Sequence, residues 1–230
     1  MQVAVVTVGD ELLSGDTENT NATWLCRQLT ERGVSVERVF TIPDDVSVIA
    51  ELVNESHAAF DAVLVTGGLG PTHDDVTMAG VAAAFGRDLE RNEEAEAWLT
   101  NHGGYSAEDL SEGTTHLPAE ARVLHNDEGV APGCVVESVY VFPGVPTEMK
   151  AMFEGVAEEF AGTVQHVETV TVAEPESALV GRLSDLRETF DVTVGSYPGE
   201  NVRIKLSGED AEEVDAAAAW LRERVDVAMD

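Results

Sequence analysis

The stretch TGGLGPTHDDVT, residues 66–77, is the segment from which the fold can be read. It follows an apolar run, DAVLVT at Asp61–Thr66, that predicts a buried strand. Three glycines within four residues allow positive φ angles and a close approach of the backbone to a ligand. A helix is predicted from about Asp75 to Phe85, with Gly86 as its C-terminal stop. Its free N–H groups can hold a phosphate.

The chain on either side of this stretch alternates strands with helices. Strands are predicted over Gln2–Val8, Val34–Ile42 and Asp61–Thr66, with helices over Asn19–Arg32 and Val46–Ala59 between them. This alternation predicts an α/β fold, in which a mainly parallel sheet carries helices on both faces in three α/β/α layers.

The remaining sequence completes this domain and adds a smaller one. A helix over Glu93–Asn101, a strand over Val135–Phe142 with a turn near Ser138, and a helix over Val145–Phe160 are predicted, while the polar stretch Gly103–Gly113 is left unassigned. The pattern changes near residue 163, which predicts a main domain of residues 1–162 and a small α+β domain of residues 163–230. The small domain reads as a strand (Val164–Val172), a helix (Glu176–Thr189), two strands (Val192–Tyr197, Val202–Ser207) and a helix (Ala211–Val225).

Polar loops follow three of the predicted strands of the main domain. Gly9, Asp10 and Glu11 follow the first strand, the glycine stretch follows the third, and residues 143–149 (PGVPTEM) follow the last. Loops at the carboxyl ends of parallel strands form the ligand crevice of an open α/β sheet. Each loop also has a purely structural alternative. These are an N-cap for Asp75, a polar turn for Asp10 and Glu11, helix capping for Asn19 and Asn21, a rigid turn for residues 143–146, and solvent exposure for His73.

The carboxylates beside the glycine turn predict a metal. Asp74 and Asp75 would repel a phosphate unless a divalent cation lay between them and the phosphate oxygens. The chain has only two lysines, Lys150 and Lys205, so a metal ion is the readiest source of positive charge. Asp10, Asp74 and Asp75 are therefore predicted to bind Mg²⁺, Mn²⁺ or Co²⁺. If the site catalyses hydrolysis, one of these carboxylates, or Glu11, would orient the attacking water.

The charge balance restricts partners and environment. Thirteen Lys and Arg residues against 44 Asp and Glu residues give a formal net charge of −31. No cluster of basic residues exists to bind a phosphate backbone, so nucleic acid and anionic membranes are excluded as general partners. No apolar run approaches the roughly 20 residues needed to span a bilayer, and a cytoplasmic protein is expected. Cys26 and Cys134 are expected to be free thiols, with a disulfide between them as the alternative.

Such an excess of acidic residues predicts adaptation to high salt, because molar salt shortens the screening length to roughly 3 Å and weakens the repulsion between carboxylates. We expect the fold to be lost in low salt. Circular dichroism before and after dialysis to about 50 mM salt, where screening is much weaker, measures this. An unchanged spectrum would contradict the halophilic interpretation.

At its loops the sequence resembles the CinA (competence/damage-inducible protein A) family, a branch of the molybdopterin-binding MogA/MoaB group. The matching stretches, in order, are GDELLSG at 9–15, NTN at 19–21, TGGLGPTHDDVT at 66–77, GVAPG at 129–133 and PGVPTEMK at 143–150. They span almost the whole main domain. Residues 195–198 (GSYP) and their surroundings resemble the small KH-like domain that follows in CinA proteins.

The resemblance implies a MogA/MoaB-like fold and a small-molecule nucleotide or pterin as ligand. The MogA/MoaB group usually has an arginine where this chain has Asp74, and this change favours the metal-dependent ADP-ribose pyrophosphatase of the CinA branch over simple molybdopterin binding. Molybdopterin binding, with molybdopterin as cofactor, stays as the alternative, and a non-catalytic nucleotide-binding or assembly protein as a second one. The residues expected to bind the ligand are Gly9, Asn21, Thr66, Gly67, Gly68, Gly70, Thr72, Thr77, Gly144 and Pro146.

Two further expectations concern the rest of the protein. The nicotinamide mononucleotide deamidase domain of CinA proteins is missing from these 230 residues, so deamidation is not expected. The KH-like domain lacks a Gly-x-x-Gly loop with basic residues, and Arg203 and Lys205 alone are too few to clamp a nucleic-acid backbone. Packing, dimerisation or covering of the crevice is the expected role, and a homo-oligomer is expected.

Overall fold

The computed structural model describes residues 1–101 and 113–228, which fall into two compact units divided between Gly162 and Thr163. All but Gly113 of the unassigned stretch Gly103–Gly113 lies outside the described residues. Each unit is described below by itself.

The larger unit contains eight strands and six α-helices among its described residues. The strands are β1 (Gln2–Val8), β2 (Ser35–Ile42), β3 (Ala62–Thr66), β4 (Leu89–Arg91), β5 (His116–Pro118), β6 (Arg122–Leu124), β7 (Gly133–Val136) and β8 (Val139–Phe142). The helices are α1 (Asp10–Ser14), α2 (Thr20–Glu31), α3 (Val46–Ala59), α4 (Thr77–Ala84), α5 (Glu93–Asn101) and α6 (Pro146–Glu154).

Six of these strands form one sheet in the order β2-β1-β3-β8-β7-β6. Strands β2, β1, β3 and β8 run parallel to one another, whereas β7 and β6 complete the sheet antiparallel. This arrangement confirms the predicted α/β class with a mainly parallel sheet. The carboxyl ends of β1, β3 and β8 lie side by side, because these strands are neighbours in the sheet.

Both faces of the sheet are covered, so the central strands are apolar throughout. Val3 and Val5 of β1 belong to a core cluster that also contains residues of α2 and α6. Ala4 and Val6 point to the opposite face and belong to a cluster with residues of α3, α4 and α5. Alternation along a strand sends successive side chains to opposite faces, and a sheet buried on both faces therefore needs a continuous apolar run.

The last helix of the larger unit is shorter than predicted. The predicted helix Val145–Phe160 ends at Glu154, and a separate 3₁₀ turn follows at Ala157–Glu159. The turn expected near Ser138 is present, and it divides the predicted strand Val135–Phe142 into a hairpin of β7 and β8, with Glu137 at φ 53°. Both thiols are free, as expected, and burial raises the pKa of Cys134 to about 12.

The smaller unit is an antiparallel three-stranded sheet with two helices. Its elements are β9 (His166–Val172), α7 (Glu176–Thr189), β10 (Thr193–Tyr197), β11 (Val202–Gly208) and α8 (Ala211–Arg222), with strand order β10-β11-β9. One core cluster joins the inner face of this sheet to both helices. Within the described parts of both units, no helix combines the length and the apolar character that crossing a membrane requires.

Candidate functional site

The three predicted loops meet around one crevice at the carboxyl ends of the parallel strands. The crevice has a volume of about 700 Å³. The loop after β1 and the start of α2, the glycine loop after β3, and the loop before α6 all contribute to its wall. A fourth segment, residues 128–131, closes it from a side that the sequence reasoning had not assigned to the site.

The glycine loop passes so close to neighbouring backbone that side chains have no room. Gly67 has φ 108°, its N–H donates to the carbonyl oxygen of Phe142 (3.2 Å), and a Cβ there would overlap the carbonyl oxygen of Val8. Gly68 has φ 64°, and a Cβ there would overlap the hydroxyl of Thr77. Glycine is therefore required at both positions for conformation and for space.

Asp75 is held inside the crevice and is not the N-cap of the following helix. Helix α4 begins at Thr77, and its N-cap Val76 makes no side-chain capping bond. The Asp75 Oδ2 atom accepts hydrogen bonds from the N–H of Thr72 (3.0 Å) and from the Thr72 hydroxyl. A Cβ on Gly70 would lie 2.6 Å from the same oxygen. The loop thus fixes this carboxylate directly against the glycine turn.

Asp74, the neighbouring carboxylate, is not directed into the crevice. Its side chain is 66% exposed and lies 3.8 Å from the Nδ1 atom of His73, which is itself fully exposed. Neither residue is among the described residues that line the crevice. The exposed position of His73 is the alternative that the sequence left open.

The loop after β1 is helical, since Asp10 and Glu11 form the first turn of the short helix α1. Glu11 lines the crevice, and its carboxylate folds over Gly9, where a Cβ would lie 2.7 Å from Glu11 Oε1. Asp10 does not line the crevice, and its N–H donates to Asp44 Oδ2 at 3.0 Å. Asp44 was missed by the sequence reasoning, although it lies just beyond β2 at the same sheet edge as the other loops.

Asp44 lies among other carboxylates at this edge of the sheet. Asp44 Oδ1 would lie 3.2 Å from a Cβ on Gly68, which places Asp44 beside the glycine loop. Partial burial raises the pKa of Asp44, and the negative charges of Asp10, Glu11 and Asp75 raise it further against the opposing hydrogen bond from the Asp10 N–H. Four carboxylates therefore share one region of negative potential, which favours a bound cation.

Because the charged form of Asp44 is unfavourable in the folded protein, replacing this carboxylate is expected to raise the thermal stability by an amount that depends on pH. A folded-state pKa above the ordinary value means that the protonated form stabilises the fold, and that this stabilisation is lost as pH rises through the raised pKa. We expect Asp44→Asn to have a higher Tm than the wild type at pH 7. The difference should shrink as pH falls through the raised pKa toward the ordinary range of aspartate. Thermal melts of both proteins at fixed high salt measure this, and a lower Tm for the variant at pH 7 would contradict it.

No preformed metal cage accompanies these carboxylates. In residues 1–101 and 113–228, no three His, Cys, Asp or Glu side chains are grouped closely enough to hold a metal by themselves. The predicted set Asp10, Asp74 and Asp75 is accordingly not assembled as a cluster. A hard cation such as Mg²⁺ is usually held by one or two carboxylates together with water and substrate phosphates. The single carboxylates Asp75 and Glu11 on the crevice wall fit that mode.

Asn21 connects two of the loops that line the crevice by hydrogen bonds. Its Nδ2 donates to the Gly144 carbonyl oxygen (2.8 Å) and to the Thr66 hydroxyl (3.2 Å), and that hydroxyl donates to the carbonyl oxygen of Pro143 (2.8 Å). The Asn21 Oδ1 atom is buried and has no hydrogen-bond partner among the described residues. Asn21 therefore links the loops after β3 and β8 and retains one unused acceptor.

Segment 128–131 is held by a buried asparagine, Asn126. The Asn126 Nδ2 atom donates to Glu148 Oε2 (2.7 Å) and to the Ala131 carbonyl oxygen (2.9 Å). A Cβ on Gly129 would overlap the Glu148 carboxylate, so this glycine is packed directly on it. Asn126 and Glu148 were not predicted as site residues. The stretches GVAPG and PGVPTEMK were the sequence signal that could have identified their loops.

The remaining predicted ligand-binding residues divide into two groups. Those that line the crevice are Asn21, Thr66, Gly67, Gly68, Gly70, Gly144 and Pro146. Gly9, Thr72 and Thr77 are not among the described residues of its wall. Gly9 donates its N–H to the Ile42 carbonyl oxygen at 3.1 Å, while Thr72 holds Asp75 and Thr77 is fully buried beneath Gly68.

Comparison with known proteins relates the smaller unit to an unexpected family. Residues 164–229 match the family described as "FAD synthase, middle domain". The KH-like resemblance expected from the sequence is not confirmed.

Several relatives match the chain over nearly its whole length or over its larger unit. A protein of Archaeoglobus fulgidus is 42% identical over 225 residues, covering 97% of both chains. A CinA-like protein of Citrifermentans bemidjiense is 34% identical and covers 98% of this chain, which spans 58% of that protein. The crystal structure of a CinA protein of unknown function from Thermoplasma acidophilum, 35% identical, superposes with a TM-score of 0.64 over 70% of this chain and 99% of that one.

A second family match covers the larger unit. Residues 4–163, which include every loop of the crevice, match the family described as "Probable molybdopterin binding domain". The chain therefore belongs to this family of MogA/MoaB-like domains, within the group that includes the CinA-like proteins.

Proposed function

We propose that the crevice hydrolyses the pyrophosphate bond of a nucleotide diphosphate such as ADP-ribose with the help of a divalent metal ion. The observation that carries the proposal is the charge of the wall. Five carboxylates, those of Glu11, Glu18, Asp75, Glu128 and Glu148, line the crevice, and no Lys or Arg is among its described lining residues. A phosphate-bearing ligand enters such a site only together with a cation.

Besides the metal ion, the glycine loop is proposed to bind the phosphates of the ligand. Residues 67–70 line a crevice of about 700 Å³, which falls within the usual size range of small-molecule sites, and since the Gly67 N–H is bonded to Phe142, the N–H groups of residues 68–70 are the ones proposed to bind the phosphates. The close packing of Gly67 against Val8 and of Gly68 against Thr77 fixes the position of this loop on the crevice wall. The resemblance of the loop motifs to those of the CinA family supports a nucleotide as the ligand.

Asp75 and Glu11 are the residues best placed to hold the metal ion, with Asp44 and Asp10 adding negative charge behind them. When bound, the ion neutralises the pyrophosphate and lowers the pKa of a bound water. Glu11 or Asp75 accepts a proton from the attacking water as its oxygen bonds to phosphorus. The bond from that phosphorus to the bridging oxygen breaks, and the proton passes to the leaving phosphate, so that AMP and ribose 5-phosphate are formed. Asp74, which the sequence had offered for the same roles, is exposed and has no part in this proposal.

A second candidate, binding of molybdopterin, is favoured by the family match of residues 4–163. It uses the same crevice and the same glycine loop for the terminal phosphate of the pterin. The match of residues 164–229 to the middle domain of FAD synthase adds FAD, which contains the same pyrophosphate linkage, to the substrates worth testing.

The test is hydrolysis of ADP-ribose and of FAD by the purified chain in molar salt, with Mg²⁺, Mn²⁺, Co²⁺ or a chelator. Chromatography of the products should show AMP only where metal is present. Tight nucleotide binding without turnover in any metal would point to a non-catalytic binding protein. No nucleotide binding together with tight binding of purified molybdopterin in a titration would favour the second candidate.

A further inference from the structure

A second cavity, of about 340 Å³, lies on the other side of the glycine loop. The crevice and this cavity share residues 68–71, Asp75 and Ala131 as a common wall. Nothing in the sequence patterns or in the family descriptions assigns a ligand to it. Because both spaces border the same loop, phosphates bound at this loop would place the rest of the ligand beside the second cavity.

We propose that this second cavity binds the planar heteroaromatic ring of the ligand, either the nucleobase of a nucleotide or the ring of a pterin. The proposal rests on the proposed function for the position of the phosphates. The cavity is the smaller of the two and is near the lower end of the roughly 300–1,000 Å³ usual for small-molecule sites. It therefore suits one ring system better than a whole dinucleotide.

The chemistry of the wall suits a ring and not a phosphate. Apolar side chains from α4, β4 and β5 and from the segment before β7 form much of it, namely Met78, Leu89, Leu117 and Pro132. Among its described residues, Asp75 on the shared wall is the only charged side chain besides the titratable His116. Apolar surface with a few polar groups is the usual environment of a bound aromatic ring.

His116 supplies the polar group that a ring edge needs. It lies in β5 on the cavity wall, and its Nδ1 atom is buried without a hydrogen-bond partner among the described residues. Buried polar atoms are nearly always satisfied, and an unsatisfied one costs free energy that a bound partner would recover. A nucleobase or a pterin carries ring nitrogens and amino groups that can form this bond once the His116 side chain rotates its Nδ1 atom toward the cavity.

The test compares ligands with and without a ring on matched variants in molar salt with Mn²⁺. Leu89→Trp fills the cavity from a side chain that is 39% exposed, so folding should be unaffected, and His116→Phe keeps a ring but removes its nitrogens. Val39→Trp, at an exposed position of β2 that lines neither cavity, is the control. Rapid-mixing binding measurements, completed before turnover becomes appreciable, give the affinity of each protein for ADP-ribose, for inorganic pyrophosphate and for purified molybdopterin.

We expect Leu89→Trp and His116→Phe to weaken ADP-ribose binding by about tenfold or more, with unchanged pyrophosphate binding and an unaffected control. Unchanged ADP-ribose affinity in both variants would overturn the proposal for the second cavity and leave the hydrolase proposal standing. Binding of molybdopterin alone, weakened by Leu89→Trp, would support the cavity as a ring site and overturn the nucleotide proposal. Absence of binding by all three ligands would overturn both.

Discussion

Asp75→Asn should lower the rate of metal-dependent ADP-ribose hydrolysis by about 10²- to 10⁴-fold, the usual contribution of a positioned catalytic carboxylate. Asparagine can still accept the hydrogen bonds from Thr72, so the loop should keep its shape while the negative charge is lost. The reduction should appear in kcat at saturating metal as well as in the metal concentration required. Initial rates over a Mn²⁺ titration measure both.

Asp74→Asn is the matched control, because it removes the same charge one residue earlier in the chain. The Asp74 side chain is 66% exposed and is not part of the crevice wall, so its rate should stay within about twofold of wild type, as expected for a surface substitution. If the two variants lose activity equally, the assignment of the catalytic carboxylate to Asp75 is wrong. If Asp75→Asn keeps the full rate, the proposed mechanism is wrong.

Gly67→Ala should destabilise the larger unit by about 3–5 kcal/mol, at the upper end of single substitutions. Two effects add at this position. The φ angle of 108° is outside the range that alanine adopts readily, and the new Cβ would overlap the backbone oxygen of Val8. A backbone carbonyl at the end of the central strand β1 cannot move aside as a flexible side chain can. Chemical denaturation in molar salt, followed by circular dichroism, gives the free energy of unfolding.

Gly86→Ala separates conformational strain from overlap. Gly86 also has a positive φ, 61°, but a Cβ there meets no atom within 4 Å. The cost should be only about 1–2 kcal/mol, that of the left-handed conformation alone. Equal destabilisation by the two substitutions would show that the close passage of the glycine loop past β1 is not what requires glycine at position 67.

Long periodic helices and continuous apolar strands could be predicted from the sequence, whereas the shortest elements without such a pattern could not. Helix α3 begins and ends where the pattern predicts, because Asp45 caps it by accepting from Ser47 and Val48 and its apolar residues recur at helical spacing. Helix α1 and strands β4, β5 and β6 have five residues or fewer, too few for a period to be recognised. The helix predicted over Val145–Phe160 was too long, because the apolar pattern continues past the true helix end at Glu154 through the 3₁₀ turn at Ala157–Glu159.

The candidate site shows the same limit at the level of single residues. The glycine loop and Asp75 could be predicted because their spacing carries the information. Asp44 could not, because its closeness to Asp10 depends on β2 lying beside β1, and strand order is a property of the fold. Asp74 and Asp75 are adjacent in sequence, yet only Asp75 is turned into the crevice, by its bonds to Thr72. Turn geometry of this kind is set by contacts that one sequence does not display.

The central claim is that a metal ion replaces the lysines and arginines that the crevice wall lacks. The most direct measurement is the affinity of the wild-type chain for ADP-ribose in molar salt, with saturating Mn²⁺ and with chelator, before turnover becomes appreciable. The account predicts binding at least about tenfold tighter with Mn²⁺, within the usual range of coupling between two ligands. Equal affinity in the two conditions would contradict it, because the carboxylate-lined crevice would then hold the phosphates without a cation.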